Sequence, residues 1–559
     1  MDARKVVVIG SGPGGSGIAA LLAHGGDKVT LLEKNGFLGG KCSALEQDGY
    51  VVDTGVHMFG QGPNGPFGKI ASMVGEKLDW CLREPMIDFY YSGKGPMHVT
   101  HNPLNPIFIK SFLNINLRGW MKPPNLLKDM RRIFKNYTFK ELANIINKLS
   151  NPYTPYLTEF EDITVKDFFA SITDSRDFLR SMHAQTMITM VIPWDNASLA
   201  DFLYIQFGTV RNRGFGYPAG GSGEIPKTFL RGFERNGGTI RTGTEVKTID
   251  VENGRAKGVT TMAGEFIPAD IVISNAGIHR TIDLAGEKNF PTAYTTRASR
   301  LKMSCAFIAT KYFLDTKVTS MMAPCMFHCP DLDADEMFAY IETGEIPKDL
   351  YLFVTVPSMS DPSLAPLGKD ILIVGVPAPS DLSRIPQCEG LLDLAEHIAE
   401  VRLFPEIKGH IIKKQRTHIA QTSGLTGRKT GECIGLAQEV GQTGTKKPTP
   451  QTPIKGLYLV GSDAGGKGIG TECAADSALS ASSRPARGVA PAAGPPSTRF
   501  PAGLGRPATG VPARVASARP KTAILWSSGL KRRIDTTSGL RLAPGGQRAP
   551  TDVLFGRDK

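Results

Sequence analysis

The 559-residue sequence is short of long apolar runs, clustered cysteines and an excess of one charge over most of its length. No run reaches the roughly 18 to 20 apolar residues that a membrane-spanning helix needs, which argues against an integral membrane protein. The first apolar run is short and ends at a glycine turn rather than at a small-residue cleavage site. We therefore expect no signal peptide and a cytoplasmic location.

The eight cysteines are scattered along the chain. Only Cys325 and Cys329 are close together, and no second pair of ligands accompanies them, so the spacing does not fit a zinc site. We expect reduced, mostly buried thiols and no bound metal. The sequence also shows no Ser-His-Asp order and no paired acids, so it identifies no catalytic acid or base by motif.

The net charge of +12 is concentrated at the C-terminal end. Residues 484–559 hold 14 basic and three acidic side chains, against 51 and 50 in residues 1–483. The nearly neutral body gives no sign of nucleic acid binding. Residues 484–559 are rich in Ala, Pro, Gly and Arg without periodicity, which predicts a disordered tail. We interpret it as a read-through or frame-shifted end; the alternative is a basic tail that binds anionic surfaces.

The N-terminal part of the sequence contains a nucleotide-binding motif. Apolar residues 6–9 predict a buried strand, and Gly10, Gly12 and Gly15 follow as G-x-G-x-x-G at the predicted turn into a helix. These glycines permit a tight turn, a close approach of backbone to a pyrophosphate, and close helix–strand packing. The helix N-terminus offers N–H groups and partial positive charge to that pyrophosphate. Glu33 ends the next predicted strand, where an acid would hydrogen-bond a ribose hydroxyl.

The rest of the pattern predicts a nucleotide-binding domain interrupted by two insertions. Helix-compatible apolar spacing predicts a helical insertion at the substrate entrance, and a mixture of strands and helices predicts an α+β substrate domain. The predicted segments are 1–104, 217–277 and 451–483 for the three parts of the nucleotide-binding domain, 105–216 for the helical insertion, 278–450 for the substrate domain and 484–559 for the tail.

Four segments carry a resemblance to a known family. They are the start through Leu38-Gly39-Gly40-Lys41 and Asp53-Thr-Gly-Val-His57, then Tyr217–Pro226, Ser360–Lys369 and Gly456–Asp463. In this combination the chain resembles the phytoene desaturase-like branch of the FAD-dependent amine oxidase superfamily, which includes carotenoid desaturases, carotenoid isomerases and retinol saturases. The resemblance implies an α/β fold: a Rossmann-like, glutathione reductase-like FAD-binding domain with an inserted α+β substrate domain and a helical subdomain.

The resemblance also implies a cofactor, FAD, and a set of residues that bind it. These residues are Gly10, Gly12, Gly14, Gly15, Glu33, Lys34, Gly39, Gly40, Lys41, Val246, Gly461, Asp463 and Gly470. Among them, Glu33 would hold the adenosine ribose, Val246 would contact adenine through its backbone, and Asp463 would reach the pyrophosphate or ribityl end. The helix after Gly468 would point its N-terminus toward the isoalloxazine ring, where it stabilises negative charge on reduced flavin.

The implied chemistry is hydride transfer between flavin N5 and a C–C bond of a lipophilic isoprenoid or polyene-type substrate. His57 is the candidate catalytic residue because it follows the flavin segment; the alternative is a packed structural histidine. Two departures bear on the substrate: Lys41 stands where many relatives have Arg, and residues 465–472 lack the proline expected in carotenoid desaturases. They leave open whether the substrate is a carotenoid, and whether the reaction is desaturation, saturation or isomerisation.

Other functions and partners stay open at this point. The same fold supports amine oxidation, for which Tyr458 is a candidate aromatic residue, and it also supports a flavin-free lipid chaperone of the GDP dissociation inhibitor type. A nicotinamide dehydrogenase would use only the first glycine motif. Quinone, oxygen and NAD(P) are the candidate electron acceptors. The stretch Ile107–Lys122 mixes apolar bulk with basic residues, which favours either peripheral membrane contact or a core-facing helix with a solvated side.

Overall fold

The computed structural model describes residues 3–55, 57–91, 95–102, 104–111, 123–151, 153, 155–212 and 214–482. The predicted tail, 484–559, and residues 112–122 of the predicted membrane-contact stretch lie outside this part of the chain. Within it, no helix combines the length and the apolar character needed to cross a bilayer.

A five-stranded sheet, here called the parallel sheet, forms the centre of the nucleotide-binding region. Its neighbouring strands all pair in parallel. The central apolar runs are buried on both faces, as expected for strands covered on both sides. The strands come from three separate stretches of chain, in the spatial order Leu457–Leu459, Ile271–Ser274, Lys5–Ile9, Lys28–Leu32 and Thr239–Arg241.

Alternate residues of the first strand point to different cores. Val6 and Val8 pack under three helices on one face of the parallel sheet, whereas Val7 and Ile9 pack on the other face. The three helices are Pro13–His24, Glu224–Arg235 and Gly470–Ser482, with the first packed between the other two. The second face is covered by a three-stranded antiparallel sheet of Val246–Glu252, Arg255–Thr261 and Phe266–Pro268 together with the helix Ile278–Ala285.

A larger sheet, here called the seven-stranded sheet, forms the second half of the molecule. Its spatial order is Ile411–Thr417, Ala306–Leu314, Asp370–Ala378, Leu352–Thr355, Cys325–Cys329, Ile87–Tyr91 and Gly95–Val99. The last two strands belong to the segment 1–104, for which the sequence predicted only nucleotide binding. They join this sheet because Ile87–Tyr91 pairs in parallel with Cys325–Cys329 along five residue positions.

Besides a helical stretch at residues 106–111, the helical insertion has five helices in the described chain. They are Pro123–Asn136, Phe139–Ser150, Val165–Ile172, Arg176–Met190 and Leu199–Asn212. The first four match, to within a few residues, the helices that apolar spacing predicts at Leu126–Phe134, Phe139–Leu149, Val165–Ile172 and Arg176–Ile188. The fifth was not predicted. The last three share a core with Phe160, Ile192 and Trp194.

The remaining elements connect these layers. All eight cysteines are free, and five of them are buried. The other helices are Pro66–Met73, Thr292–Ser299, Tyr340–Thr343, Pro357–Ser360, Ile385–His397 with its π-helical continuation Ile398–Leu403, and Ile419–Thr426. Short ladders pair Ala44–Gln47 with Tyr50–Asp53 and Trp80–Cys81 with Tyr217–Pro218. Short 3₁₀ turns are Gly62–Asn64, Thr158–Phe160, Glu287–Asn289, Pro362–Leu364, Leu382–Arg384, Pro405–Ile407 and Gly444–Lys446.

Candidate cofactor and substrate site

One cavity of about 1450 Å³ runs from the first glycine loop to the face of the seven-stranded sheet. Single small-molecule sites usually measure roughly 300 to 1,000 Å³. The cavity therefore has room for a cofactor together with a second molecule. Its two ends differ in the groups that line them, and they are described in turn.

At the glycine end of the cavity, backbone segments of the loop and of the following helix lie very close together. Gly10 has φ +89°, a conformation that side chains disfavour. A Cβ on Gly15 would overlap the carbonyl oxygen of Gly10, and a Cβ on Gly14 would lie 2.9 Å from Oδ1 of Asn275. The loop thus presents a bare concave surface, with Gly12 at the N-cap of the helix Pro13–His24. Such a surface fits a pyrophosphate.

Glu33 lies on the cavity wall beside this loop and is buried. Its carboxylate accepts hydrogen bonds from the backbone N and Oγ of Ser11 at 2.9 and 2.7 Å. Its other oxygen accepts from the backbone N and Nδ2 of Asn35 at 2.9 and 2.8 Å. Glu33 therefore holds the first two strand ends together. Its contact with a ribose stays a prediction.

The other predicted cofactor residues divide between the wall and its support. Lys34, Gly40, Lys41, Val246 and Gly470 line the cavity together with Gly10, Gly12 and Gly14. Gly15, Gly39, Gly461 and Asp463 do not line it. Gly39 donates its N–H to Oγ of Ser11 at 2.9 Å, and Gly461 donates its N–H to Oγ of Ser477 at 2.7 Å. These residues support the loops from behind.

A buried network of charged side chains stands behind the Lys41 side of the wall. Arg428, which lines the cavity, pairs with Asp463 and Glu432 at 3.1 Å each. Asp463 also accepts from the backbone N–H groups of Ile278 and Leu436. Burial opposes its ionisation, but Arg428 and these N–H groups lower the pKa of Asp463 below its ordinary value. Asp463 thus acts on the cavity through Arg428 in this structure.

Lys41 contributes a second cationic group to this wall. Its Nζ donates to the backbone oxygen of Glu432 at 2.8 Å. Burial lowers the pKa of Lys41, and the neighbouring Arg428 lowers it further while Glu432 raises it. Two cationic side chains therefore converge near the glycine loop, which suits a ligand with more than one negative charge.

The first turn of the helix Gly470–Ser482 closes the middle of the cavity. Glu472 in this turn accepts hydrogen bonds from the backbone N and Nε2 of Gln61 at 2.8 and 3.1 Å. Gln61 is in turn held by Nδ2 of Asn212 at 3.0 Å. Burial raises the pKa of Glu472 above its ordinary value. The helix N-terminus that the sequence predicted to face a flavin therefore lines the cavity beside a buried carboxyl group.

The far end of the cavity is lined mainly by apolar side chains. They come from the seven-stranded sheet, from the helix Arg176–Met190 and from the chain near residue 215. On the strand Ala306–Leu314, alternate residues face the cavity, whereas Thr310 and Tyr312 hydrogen-bond to Glu396 and Glu400 on the opposite side. The apolar lining is Ile87, Phe89, Met97, Val99, Ile188, Phe215, Phe307, Phe327, Phe353 and Ile373.

Lys311 is a cationic side chain within this apolar end. It is buried and donates from Nζ to the backbone oxygen of Asp53 at 2.6 Å. Burial lowers the pKa of Lys311 to about 8, against a smaller opposing effect of Asp53. The amine of Lys311 therefore changes charge near neutral pH. The apolar residues around it in the strand give no indication of this titration.

His57 lies at the junction of the two ends. Its Nδ1 is 3.3 Å from Oδ2 of Asp53, which also accepts from the hydroxyl of Tyr217. The other oxygen of Asp53 accepts from Ser222. Burial opposes ionisation of Asp53, but the hydrogen bonds from His57, Tyr217 and Ser222 lower its pKa. His57 faces the cavity on one side and a fixed carboxylate on the other, and its catalytic role stays a prediction.

Sequence reasoning did not identify several residues of the cavity wall. Asn275, Arg428 and Glu472 bear no motif of their own. Asn275 had a signal, because it directly follows a buried apolar strand, and so did Lys311, a single charge inside an apolar strand. His101 also lines the cavity and belongs to no sequence motif. Its side chain contacts Glu84 and the backbone oxygen of Phe215. Tyr458, the candidate for amine oxidation, lies outside the lining and packs against the core of the parallel sheet.

Comparisons with known proteins agree with this geometry. Residues 17–280 match the family model described as flavin containing amine oxidoreductase. A phytoene desaturase of Fusarium fujikuroi is 28% identical over 400 residues, covering 67% of this chain and 66% of that protein. The chain thus spans slightly less than two thirds of that relative. A zeta-carotene-forming phytoene desaturase of Myxococcus xanthus is 25% identical, with 82% and 89% covered.

Two further matches extend the comparison. An all-trans-retinol 13,14-reductase of Macaca fascicularis is 23% identical, with 82% of each chain covered. A crystal structure of an oxidoreductase from Methanosarcina mazei has a TM-score of 0.63 and 23% identity, covering 86% of this chain and all of that one. This structural likeness confirms the predicted α/β fold class.

The fold, the glycine cradle and these matches define the class: the chain is related to the FAD-dependent oxidoreductases. The predicted cofactor, FAD, is confirmed by the family match, and the bare loop and its cationic wall fit its pyrophosphate. Within that class, the chain is similar to proteins named as phytoene desaturases and as a retinol reductase, which agrees with the phytoene desaturase-like branch that its motifs predict.

Proposed function

We propose that the protein is an FAD-dependent oxidoreductase that transfers a hydride between the flavin and a C–C bond of a lipophilic isoprenoid or polyene-type substrate. The observation that carries the proposal is the single cavity that joins a nucleotide-binding cradle to an apolar chamber. Relatives named as phytoene desaturases and a retinol reductase support the substrate class.

The residues of the glycine end would bind and orient the cofactor. The loop Gly10–Gly15 and the N-terminus of the helix Pro13–His24 would receive the pyrophosphate, with Lys41 and Arg428 as cationic neighbours. The first turn of Gly470–Ser482 would face the redox-active ring. When bound there, FAD supplies the hydride acceptor or donor; the protein supplies position and electrostatics.

The residues of the apolar end would orient the substrate and exclude water. Aromatic side chains such as Phe307 and Phe353 offer a hydrocarbon chain large apolar area without a polar partner to satisfy. Lys311 is the group placed to hold or release a proton in this chamber, because its amine is anchored on Asp53 and titrates near pH 8. His57 is the second such candidate.

The electron acceptor and the location belong to the same proposal. Quinone, oxygen and NAD(P) are the candidate acceptors, and a cytoplasmic protein in peripheral contact with a membrane would meet a lipophilic substrate. Part of the stretch first considered for this contact, 112–122, lies outside the described residues.

The first experiment is an absorbance spectrum of the purified full-length protein with and without added FAD. Flavin bands are the expected result, and under anaerobic conditions a polyene or retinoid, but not a primary amine or polyamine, should either bleach the oxidised flavin or restore the bands of chemically reduced flavin. Bleaching by amines alone would replace the proposal with amine oxidation. A protein that stays colourless and does not bind FAD would favour the flavin-free lipid chaperone.

A further inference from the structure

Three lysines of the described chain line the cavity, and Lys311 differs from the other two. Lys34 and Lys41 lie near the glycine loop, are partly exposed, and donate to backbone oxygens. Lys311 lies at the apolar end and is only 4% exposed. Its Nζ donates to the backbone oxygen of Asp53, and no carboxylate of the described residues lies within ion-pair distance of it. Lys311 is therefore a buried amine that opens onto an apolar chamber without a paired counter-ion.

The strands packed around Lys311 present few ionisable groups to it. Opposite Lys311 on the two neighbouring strands are Ile373 and Gln415, neither of which ionises. The carboxylate of Asp53 already bonds to three other side chains, those of His57, Tyr217 and Ser222. The other ionisable side chains of these strands are engaged elsewhere: Tyr50, Tyr312, Asp370, Lys413, Lys414 and Arg416.

These surroundings disfavour the charged form of Lys311. An ammonium here would be buried with one hydrogen-bond acceptor for its three donors. Burial accordingly lowers the pKa of Lys311 to about 8. A neutral amine has a free electron pair on nitrogen, which makes it a nucleophile toward carbonyl groups. The burial of this lysine thus favours the reactive form of the amine near neutral pH.

Small residues leave space on the sheet beside the amine. Two positions along the same face, Ala309 lies opposite Gly375 on the neighbouring strand, and both line the cavity. The ring of Phe307 lies over Gly375, where an added Cβ would be 2.7 Å from the ring. The face next to Lys311 is therefore a shallow apolar surface bordered by an aromatic ring.

Phe307 begins a row of aromatic rings that crosses the seven-stranded sheet. Its ring centroid is 6.1 Å from that of Phe353, which is 5.2 Å from that of Phe327, and Phe327 is 4.8 Å from Phe89. These residues lie on four different strands, and all of them line the cavity. The strands of Phe307 and Phe89 are four strand spacings apart, about 19 Å in total. The row thus offers an elongated hydrocarbon chain a continuous aromatic surface that ends four residues from Lys311.

We propose that Lys311 captures the aldehyde group of an elongated isoprenoid or polyene molecule as an imine, with the hydrocarbon chain along this aromatic row. The nitrogen of the neutral amine forms a bond to the carbonyl carbon, the C–O bond breaks, and the oxygen leaves as water with the two amine hydrogens. Nothing is oxidised or reduced, and hydrolysis reverses the step. His57, anchored on the same Asp53 as Lys311, is placed to relay these protons.

An imine suits this position better than an ammonium does. The imine is uncharged, so capture removes the buried positive charge of the ammonium form. A ligand with a terminal carboxylate would instead pair with the ammonium and leave no covalent product. The inference rests on the proposed function only for the lipophilic class of ligand, and it requires no flavin chemistry.

The test is incubation of the full-length protein with one equivalent of all-trans-retinal, followed by sodium borohydride, which reduces an imine to a stable secondary amine. Intact mass and peptide mapping then locate the label, and we expect one retinyl group on the peptide that contains Lys311. Lys311→Met and Lys311→Arg should each lower this labelling by at least about tenfold. Lys288→Met, at an exposed lysine, should be labelled like wild type, and retinol, which lacks the carbonyl group, should leave no label.

The pH dependence of labelling separates Lys311 from exposed lysines. The neutral fraction of an amine with a pKa of about 8 rises from roughly a tenth at pH 7 to roughly nine tenths at pH 9. The initial rate of labelling should therefore rise about ninefold over this interval and then level off. Exposed lysines, whose ordinary pKa is about 10.4, would continue to gain rate above pH 9.

Circular dichroism and flavin content check that each variant is folded. Labelling that is spread over exposed lysines and is equal in wild type and Lys311→Arg would overturn the inference. An absence of label would overturn it as well, including the case of a retinal complex that borohydride does not fix, which would leave Lys311 with proton transfer alone. If polyenes bleach the flavin while retinal leaves no label, the proposed function stands and this inference fails. Label on Lys311 in a protein that binds no flavin would support the inference and contradict the proposed function.

Discussion

At the glycine end of the cavity, the wall is made of backbone and of side chains that other side chains hold in place. At the apolar end, the wall is formed by side chains of the seven-stranded sheet, the helix Arg176–Met190 and the chain near residue 215. An added methyl group on Gly15 has no space, because it would meet the carbonyl oxygen of Gly10. Phe307, by contrast, is only partly buried and borders the open chamber.

This difference separates two kinds of specificity. The cofactor end depends on atoms that cannot move without disturbing the parallel sheet. The apolar end depends on volumes and shapes, which side-chain substitutions change without touching the cradle. Relatives that share the cofactor can therefore differ in substrate, which agrees with the desaturase and retinol reductase names among them. Four substitutions test how sharp this separation is.

The largest effect is expected at Asp463. Replacing Asp463 by Ala removes one of the two carboxylate partners of the largely buried Arg428 and the acceptor of the Ile278 and Leu436 N–H groups. These losses should lower the free energy of unfolding by about 2 to 4 kcal/mol. Denaturant unfolding measures the change. Asp79→Ala, which removes an exposed ion pair with Lys77, is the control and should change little. Equal stabilities of Asp463→Ala and wild type would show that the network behind the wall is dispensable.

Replacing Lys311 tests the apolar end, and this substitution should raise the free energy of unfolding instead of lowering it. Because burial lowers its pKa from 10.5 to about 8, the charged amine destabilises the folded state at pH 7. Lys311→Met should therefore raise the free energy of unfolding there by up to about 3 kcal/mol, less about 1 kcal/mol for the lost hydrogen bond to Asp53.

The pH dependence of the same variant sharpens the test. Between pH 8 and 10.5 the unfolded chain binds this proton and the folded chain does not, so wild-type stability rises with pH. The advantage of Lys311→Met should shrink across this window. Lys288→Met, at an exposed lysine, should show no such trend. A variant that is less stable than wild type at every pH would contradict this account of Lys311.

Gly15→Ala tests the steric limit of the cradle. The added Cβ forces the helix Pro13–His24 away from the strand Lys5–Ile9, which should cost about 1 to 3 kcal/mol of stability. It should also abolish the flavin absorbance of the purified protein. Gly36→Ala places its Cβ where no atom lies within 4 Å and should keep both properties. Full flavin content in Gly15→Ala would show that the glycine loop can shift enough to accommodate the added Cβ and still bind the flavin.

The smallest effect is expected at Phe307. Phe307→Ala should keep the flavin and raise KM for a lipophilic substrate about tenfold, because a hydrophobic contact of this size is lost in both ground and transition states. Phe266→Ala, away from the cavity, serves as the control. A loss of flavin in Phe307→Ala would break the separation between the two ends.

The parts of the fold that sequence reasoning predicted are those with local rules. Thr239–Arg241, Ile271–Ser274 and Val165–Ile172 have the predicted bounds. The dipeptide Asn253-Gly254 between two apolar runs predicts a hairpin turn, and its φ angles of 49° and 72° fit that turn. In each case a short sequence pattern predicts the local structure without information from distant residues.

The parts that escaped prediction depend on distant contacts. The helix Leu199–Asn212 buries Asp201, which bonds to Thr443 and Tyr156, so its sequence shows no polar face to give a clear period. The strands Ile87–Tyr91 and Gly95–Val99 join a sheet whose other five strands begin more than 200 residues later. Lys311 faces the cavity because its strand pairs with Asp370–Ala378 and Ile411–Thr417, and Arg428 is held by ion pairs with Glu432 and Asp463. A local sequence pattern contains neither kind of contact.

The parallel sheet draws strands from both ends of the described chain, and this has a consequence for synthesis. The strand Leu457–Leu459 and the helix Gly470–Ser482 leave the ribosome after all other described elements, yet they complete the sheet beside Ile271–Ser274 and cover the first helix. Until then the nascent protein displays an unpaired strand edge and an open cradle. The cradle is therefore complete only after almost all of residues 1–482 have been synthesised.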